Sequence, residues 1–302
     1  MSARILVIKL SALGDFVLAF GPFAAIRAHY PTAEITLLTT APFAQMARDS
    51  GWFDRVEIDT RPRWYDFAGL ARLRRQISGF DFTFDLQTSS RSRWYFYLAG
   101  CPKWSGISWG CSHRQWGPAR EAMHTIERQQ DQLRIAGITE FPVADLSFLT
   151  RTTLPELPER FVLLVPGVSP SRRMKQWPVQ NFAELACILM ARGLTPVVIG
   201  GKAEIELGQI IRAACPEAVD LTGQTSVPQL FALAARAQYA VGNDTGPLHI
   251  CGAACCPCVA LFSAAGVPER DMPRGVDGRR NIVVSEPVLA DLPVARVVAA
   301  LP

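Results

Sequence analysis

The chain has 302 residues, enough for one large domain or two of about 150 each, and at 49% hydrophobic it can fill a core, which excludes a disordered segment. Its net charge of +4 is too small to argue for a nucleic-acid partner, and basic and acidic residues nearly balance in both halves, 17 against 14 in 1–150 and 14 against 13 in 151–302. The longest apolar run, near 250–265, is broken by Gly252, Pro257 and Ser263, and no cleavage-site pattern follows Ile5–Ile8, so a cytosolic, soluble protein without a signal peptide or membrane span is expected.

Residues 4–10 predict a buried strand, Ser11-Ala12-Leu13-Gly14-Asp15 a turn, and 16–29 a helix ended by Pro31. Strands follow at 34–39, 56–58 and 82–86, with helices at 42–50 and 70–77 between them. Residues 100–120 read as loop, with glycines at 106, 110 and 117, and helix resumes at 124–136. The two-proline stretch 150–160 is a linker candidate. Beyond it come strands at 161–165, 196–199, 239–241 and 258–262, and helices at 179–192, 204–215, 227–237 and from Leu248 onward. The tail 288–300, rich in Ala and Val, predicts a helix. Strands alternating with helices mean α/β units on parallel sheets, whose ligands sit beyond the carboxyl ends of the strands.

Tyr239-Ala-Val-Gly-Asn-Asp-Thr-Gly-Pro-Leu-His249 is the most informative stretch. It reads as strand, tight turn and helix start, where unpaired N–H groups and the positive end of the helix dipole suit a phosphate. Thr245 and His249, four residues apart, share a helix face, so a hydroxyl, backbone amides and an imidazole converge on one anion.

Other strand ends carry further candidates. Asp15 opens a helix after the first strand; it is either a dipole-matched first-turn carboxylate or a general base. Lys175, in Lys-Gln-Trp-Pro after Pro166-Gly-Val-Ser169, is either an exposed loop lysine or a cation for a departing diphosphate. Ser169 adds a hydroxyl to that loop. Glu204, after Ile199-Gly-Gly201, is either a helix-start glutamate or a ribose partner. Only four of the 31 basic residues are lysines, which sets Lys9 and Lys175 apart. The arginines at 61, 63, 72, 74, 75, 91 and 93 are solvated surface, or they meet an acidic acceptor or an anionic membrane. Cys251, Cys255, Cys256 and Cys258 lack a metal-ligand spacing and are expected to be packed thiols. GxGxxG after the first strand, GxxxxGK[ST] and HExxH are all absent.

In combination these motifs resemble the bacterial heptosyltransferases, glycosyltransferase family 9. Ile8-Lys-Leu-Ser-Ala-Leu-Gly-Asp15 is similar to the family's N-terminal signature, and Pro166–Ser169 with Lys175–Pro178 to its second. Leu221-Thr-Gly-Gln-Thr-Ser226 with Asn243–His249 is similar to the third, and Leu261-Phe262 and Pro268-Glu-Arg270 continue the likeness. After Phe262 the chain departs from it, reading Ser-Ala-Ala-Gly266.

The resemblance implies a GT-B architecture, two Rossmann-like parallel-sheet domains facing a central cleft. The expected domains are an acceptor domain at 1–150, a nucleotide-sugar domain at 151–287, and a terminal helix at 288–302 packing back on the first. It implies inverting transfer of a heptose from ADP-heptose to a lipid-linked acceptor, the inner core of lipopolysaccharide, by an enzyme held peripherally at the cytoplasmic face of the inner membrane. No cofactor and no metal are implied. Asp15 then matches the base, Lys175 the lysine near the donor phosphates and Glu204 the ribose partner. Asp244, Thr245, Gly246, Pro247 and His249, with Ser169, match the nucleotide-sugar site. Acceptor contacts are assigned to Ser11, Gly14 and Gln87 and, by charge, to Arg61, Arg63, Arg91 and Arg93. A transferase of another nucleotide sugar, an epimerase and a nucleotide-sugar-binding protein are the rival readings.

Overall fold

Every residue of Ile5–Ile8 is buried, as a strand covered on both faces requires. In the computed structural model, which describes residues 2–275, 277, 278 and 281–302, this run forms the centre of a parallel sheet. The chain divides into two units, the first ending at Asp145 and the second beginning at Leu146. The irregular stretch 150–160 therefore lies inside the second unit, a few residues past the division.

The first unit holds β1 (Arg4–Ile8), β2 (Glu34–Thr39), β3 (Arg55–Ile58), β4 (Phe82–Asp85), β5 (Trp104–Gly106) and β6 (His113–Arg114), in the order β3-β2-β1-β4-β5-β6. All its pairings are parallel; Leu6 sits between Thr36 and Thr83. The second unit holds β7 (Phe161–Val165), β8 (Thr195–Val198), β9 (Val219–Asp220), β10 (Ala240–Asn243), β11 (Cys258–Phe262) and β12 (Ile282–Ser285). Its order, β12-β11-β10-β7-β8-β9, is again parallel throughout, with Val241 between Leu164 and Val259. Counted from its own first strand, the second sheet repeats the order of the first. Each therefore reverses direction beside its first strand, between β1 and β4 and between β7 and β10, and at such a reversal the flanking loops leave a crevice for a ligand.

The structure adds elements that lack a readable period. The stretch 100–120 contains β5, β6 and a helix from Pro118 to Ala122, and a helix at Ser90–Leu98 follows β4. The helix expected at 16–29 is two, Leu13–Val17 and Phe20–His29. Phe16 then lies among Phe20, Phe23 and Phe43, stacked on Phe43 at 4.8 Å.

The C-terminal tail differs from expectation. Leu289, Leu292, Val294 and Val297 are buried in the second unit's own core beside Val162, Leu164 and Phe182. A short 3-10 turn (Leu289–Asp291) precedes the helix Val294–Ala299 and carries the chain back over the helix Val179–Ala191. The buried indole of Trp177 donates its Nε1–H to the Leu292 carbonyl at 2.9 Å, which fixes the tail to the loop before that helix. Apolar burial and one satisfied indole decide the placement. Leu292→Ala should lower the unfolding free energy by about 2–5 kcal/mol in urea denaturation, the range for a buried leucine truncation; an unchanged midpoint would show the tail is dispensable to this core.

Candidate functional site

In the second unit, the loops after β7 and β10 are joined by one side chain. Asn243 is fully buried; its Oδ1 accepts from Trp177 N at 3.0 Å and its Nδ2 donates to the Pro166 carbonyl at 2.9 Å. Gln176 Nε2 donates to the same carbonyl at 3.3 Å. Gly242 permits the strand spacing, since a Cβ there would come within 2.4 Å of the Val165 side chain.

This junction carries a buried ion pair. Lys175 Nζ lies 2.5 Å from Asp244 Oδ2, and both side chains are under a tenth exposed. Lys175 is therefore not an exposed loop lysine. His249 Nε2 stands 3.9 Å from the other carboxylate oxygen of Asp244. The Asp244 carboxylate thus lies between the Lys175 ammonium and the His249 imidazole. Thr245 is the N-cap of the helix Gly246–Ala253, with Pro247 in its first turn, and no side chain caps that turn. Lysine has three N–H donors, so Lys175 can serve Asp244 and an anion together. An ammonium, an imidazole and a helix start at one place suit a diphosphate.

Glu204 sits under the neighbouring loops. Its Oε2 accepts from Gly201 N at 2.7 Å, and its Cγ lies 2.5 Å from where a Cβ on Gly167 would stand. Ser169 is exposed at the start of the 3-10 segment Pro170–Lys175. Gly266, after β11, closes on the site: a Cβ there would be 3.4 Å from Asp244 Oδ2. Asn243 and Gly266 had no assigned role in the sequence. The signal for Asn243 is an amide at the end of an apolar strand.

In the first unit the corresponding junction is made by Gln87. Its Oε1 accepts from Leu10 N at 2.8 Å and Ser11 N at 3.0 Å, so it positions the loop leading to Asp15. Lys9 Nζ donates to the Leu86 carbonyl at 3.0 Å, and Thr40 Oγ1 to the Leu10 carbonyl at 2.8 Å. Asp15 is exposed, lies in the first helical turn and accepts from Ala12 N at 3.3 Å. Gly14 is buried behind it. Asp15, Lys9, Gln87, Arg120, Arg128 and Gln132 line a polar cavity of about 360 Å³.

Burial dominates the charges there. Desolvation lowers the Lys9 ammonium to about 8, against the opposing pull of Asp15, with Arg128 lowering it further. Desolvation raises Asp85 to about 6, opposed by N–H groups of Thr88 and Gln87. Lys9 is nonetheless largely protonated at neutral pH, so this wall of the cavity keeps a buried positive charge near Asp15.

Of the proposed acceptor arginines, Arg61 is held at this loop, its Nη2 donating to Ser11 Oγ at 2.8 Å. Arg63 and Arg91 line a neighbouring groove. Arg93 is exposed two residues further along the helix and is not brought to that groove. In the cysteine cluster Cys251, Cys256 and Cys258 are buried and Cys255 is half-buried; burial pushes the Cys251 thiol up, and the hydrogen bond with Cys256, with burial, pushes Cys258 up.

Two stability effects follow. Asp244→Ala leaves the Lys175 ammonium buried and unpaired and should lower the unfolding free energy by about 3–5 kcal/mol. Adding Lys175→Met should restore part of that loss in urea denaturation; fully additive losses would contradict the pair. For Asp85 the native state binds its proton more tightly than the unfolded chain, whose value is near 4. Its contribution therefore holds at low pH and is lost as pH rises from about 4 to 6. The stability difference between the wild type and Asp85→Asn should change by on the order of 3 kcal/mol across that interval. A pH-independent difference would show that Asp85 titrates normally.

Residues 70–270 match the family model described as glycosyltransferase family 9 (heptosyltransferase). Lipooligosaccharide heptosyltransferase 2 of Haemophilus influenzae is 33% identical over 93 residues, 29% of this chain and 27% of that protein, so the match spans about a quarter of its length. Lipopolysaccharide heptosyltransferase 3 of Escherichia coli K12 is 24% identical over 289 residues, 83% of this chain and 80% of that protein. Among solved structures, E. coli heptosyltransferase WaaC with ADP superposes with a TM-score of 0.77 at 18% identity, covering 98% of each chain. That likeness shows the fold, two Rossmann-like α/β units of the GT-B type.

Proposed function

The chain belongs to glycosyltransferase family 9, and on that premise we propose that it transfers a heptose from ADP-heptose to the inner core of lipopolysaccharide, inverting the anomeric carbon. The observation that carries this reading is the buried Lys175–Asp244–His249 group at the start of the helix Gly246–Ala253. It is a site for a doubly charged leaving group, built without a metal ligand set among the described residues.

In this mechanism Asp15 takes the proton of an acceptor hydroxyl as its oxygen attacks the anomeric carbon. The bond from that carbon to the diphosphate breaks, and ADP departs with the electron pair. Lys175, His249 and the backbone N–H groups of Thr245 and Gly246, in a first turn that Pro247 makes rigid, neutralise the charge that builds on it. Asp244 holds Lys175 and His249 in place. Glu204 and Ser169 are assigned to the nucleotide's ribose and phosphate edge. The acceptor sugar occupies the polar cavity beside Asp15, where Lys9 and Arg128 suit an acidic sugar, while Arg120 is paired with Glu121 in the same wall. Ser11, Gly14, Gln87 and Arg61 shape its rim, and Arg63, Arg91 and Arg93 meet more distant anionic groups.

Among the described residues no helix is long and apolar enough to cross a membrane. The acceptor is lipid-linked in this reading, so the enzyme works at the cytoplasmic face of the inner membrane, held peripherally.

Asp15→Asn should reduce turnover of ADP-heptose by about 10²- to 10⁴-fold, the usual contribution of a positioned base. Its dissociation constant for ADP, by calorimetry, should stay within about twofold of the wild type, because the donor group of Lys175 is untouched. Near-normal turnover would remove Asp15 as the base, and failure of the wild type to release ADP from ADP-heptose would remove the reading itself.

A further inference from the structure

Residues 61–120 hold ten basic and three acidic side chains, a surplus of seven in a chain whose total surplus is four. The three carboxylates are engaged within the unit. Asp66 accepts from Gly69 N at 2.8 Å, Asp81 from Arg4 N at 2.8 Å, and Asp85 is fully buried. The same stretch contains five of the seven tryptophans. Trp104 is core, but Trp64 is 81% exposed, Trp109 74% and Trp94 41%, and Phe67 beside Trp64 is 80% exposed. Large apolar side chains held in water at this density mark an interaction surface.

The exposed rings are joined. Arg63, Trp64, Tyr65, Arg91 and Trp94 line one groove of about 530 Å³. Arg63 Nη1 donates to Tyr65 Oη at 2.5 Å, with its guanidinium over that ring. Tyr97, on the helix of Trp94, donates its hydroxyl to the Trp109 carbonyl at 3.1 Å, tying the Trp109 loop to that helix.

We propose that this face of the first unit docks on an anionic phospholipid surface, Trp64, Phe67, Trp94 and Trp109 entering the headgroup region and Arg63 and Arg91 meeting lipid phosphates. Tryptophan and tyrosine prefer that depth, and arginines are drawn to a negative leaflet. Charge argues for lipid over a neutral sugar, because residues 86–120 contain no carboxylate to accept from sugar hydroxyls. The docking rests on the reading of the acceptor as lipid-linked, and it serves that reading. Arg61, two residues before Arg63, is bonded to Ser11 on the loop that leads to Asp15, so a surface-bound acceptor headgroup is delivered beside the base.

The test is co-sedimentation of the full chain with vesicles of phosphatidylcholine alone and with about one third phosphatidylglycerol added. The wild type should bind the anionic vesicles at least about tenfold more tightly, and added salt should weaken that binding. Trp64→Ser with Phe67→Ser should lower it by about tenfold or more, with melting temperature and ADP affinity unchanged, since both side chains are exposed. Equal binding to neutral vesicles, or a double variant that binds as the wild type does, would overturn the docking. So would a double variant that raises KM for a water-soluble, deacylated acceptor while vesicle binding is absent, an outcome that assigns the groove to carbohydrate. Transfer to that soluble acceptor separates the two failures. If it persists without vesicle binding, the docking falls and the enzymatic reading stands; if it is absent in protein that binds vesicles, the enzymatic reading falls.

Discussion

The second unit is organised around the contact between the Lys175 ammonium and the Asp244 carboxylate. Neither charge is stable so deep without the other. The pair therefore fixes two loops that enter from different strands, β7 and β10, at the point where the sheet reverses its order. Asn243 makes the same connection through neutral bonds, and Trp177 extends it to the C-terminal tail through Leu292. One chain of polar contacts thus runs from Lys175 and Asp244 to Leu292, just before the last helix. The tail belongs to the second unit because it completes that chain and the apolar core beside it.

The first unit solves the same problem with different residues. Gln87, after β4, accepts from two N–H groups of the loop after β1, and Lys9 crosses back to the Leu86 carbonyl. In both units a side-chain amide from the fourth strand pins the loop after the first. Lys175 lies on the pinned loop of the second unit, and Asp15 lies in the helical turn that the pinned loop of the first leads into.

Much of this was legible in the chain because it is written in local patterns. The fully apolar runs 5–8, 161–165 and 258–262 name buried parallel strands, and the turn at Asn243-Asp244-Thr245-Gly246 names a helix start. Lys175 and Asp244 were legible as candidates, but not as partners, since 69 residues separate them and no period links them. Gln87 was placed with the acceptor contacts, yet its side-chain oxygen serves the loop of Leu10 and Ser11, a tertiary role without a local sign. The strands at 104–106 and 113–114 are too short to show alternation and are defined by their neighbours in the sheet. The tail's apolar residues announced that it packs; only the Trp177–Leu292 bond and the surrounding core show on what.

The central claim is that the Lys175 ammonium, aimed by Asp244, meets the terminal phosphate of a nucleoside diphosphate. Calorimetric titration of ADP and AMP against the wild type and Lys175→Met tests it most directly. A charge-assisted hydrogen bond of about 1.5–3 kcal/mol predicts that the wild type prefers ADP by roughly tenfold to a hundredfold. In Lys175→Met that preference should shrink to about twofold or less, with AMP affinity little changed. A preference for ADP that survives the substitution intact would contradict the account.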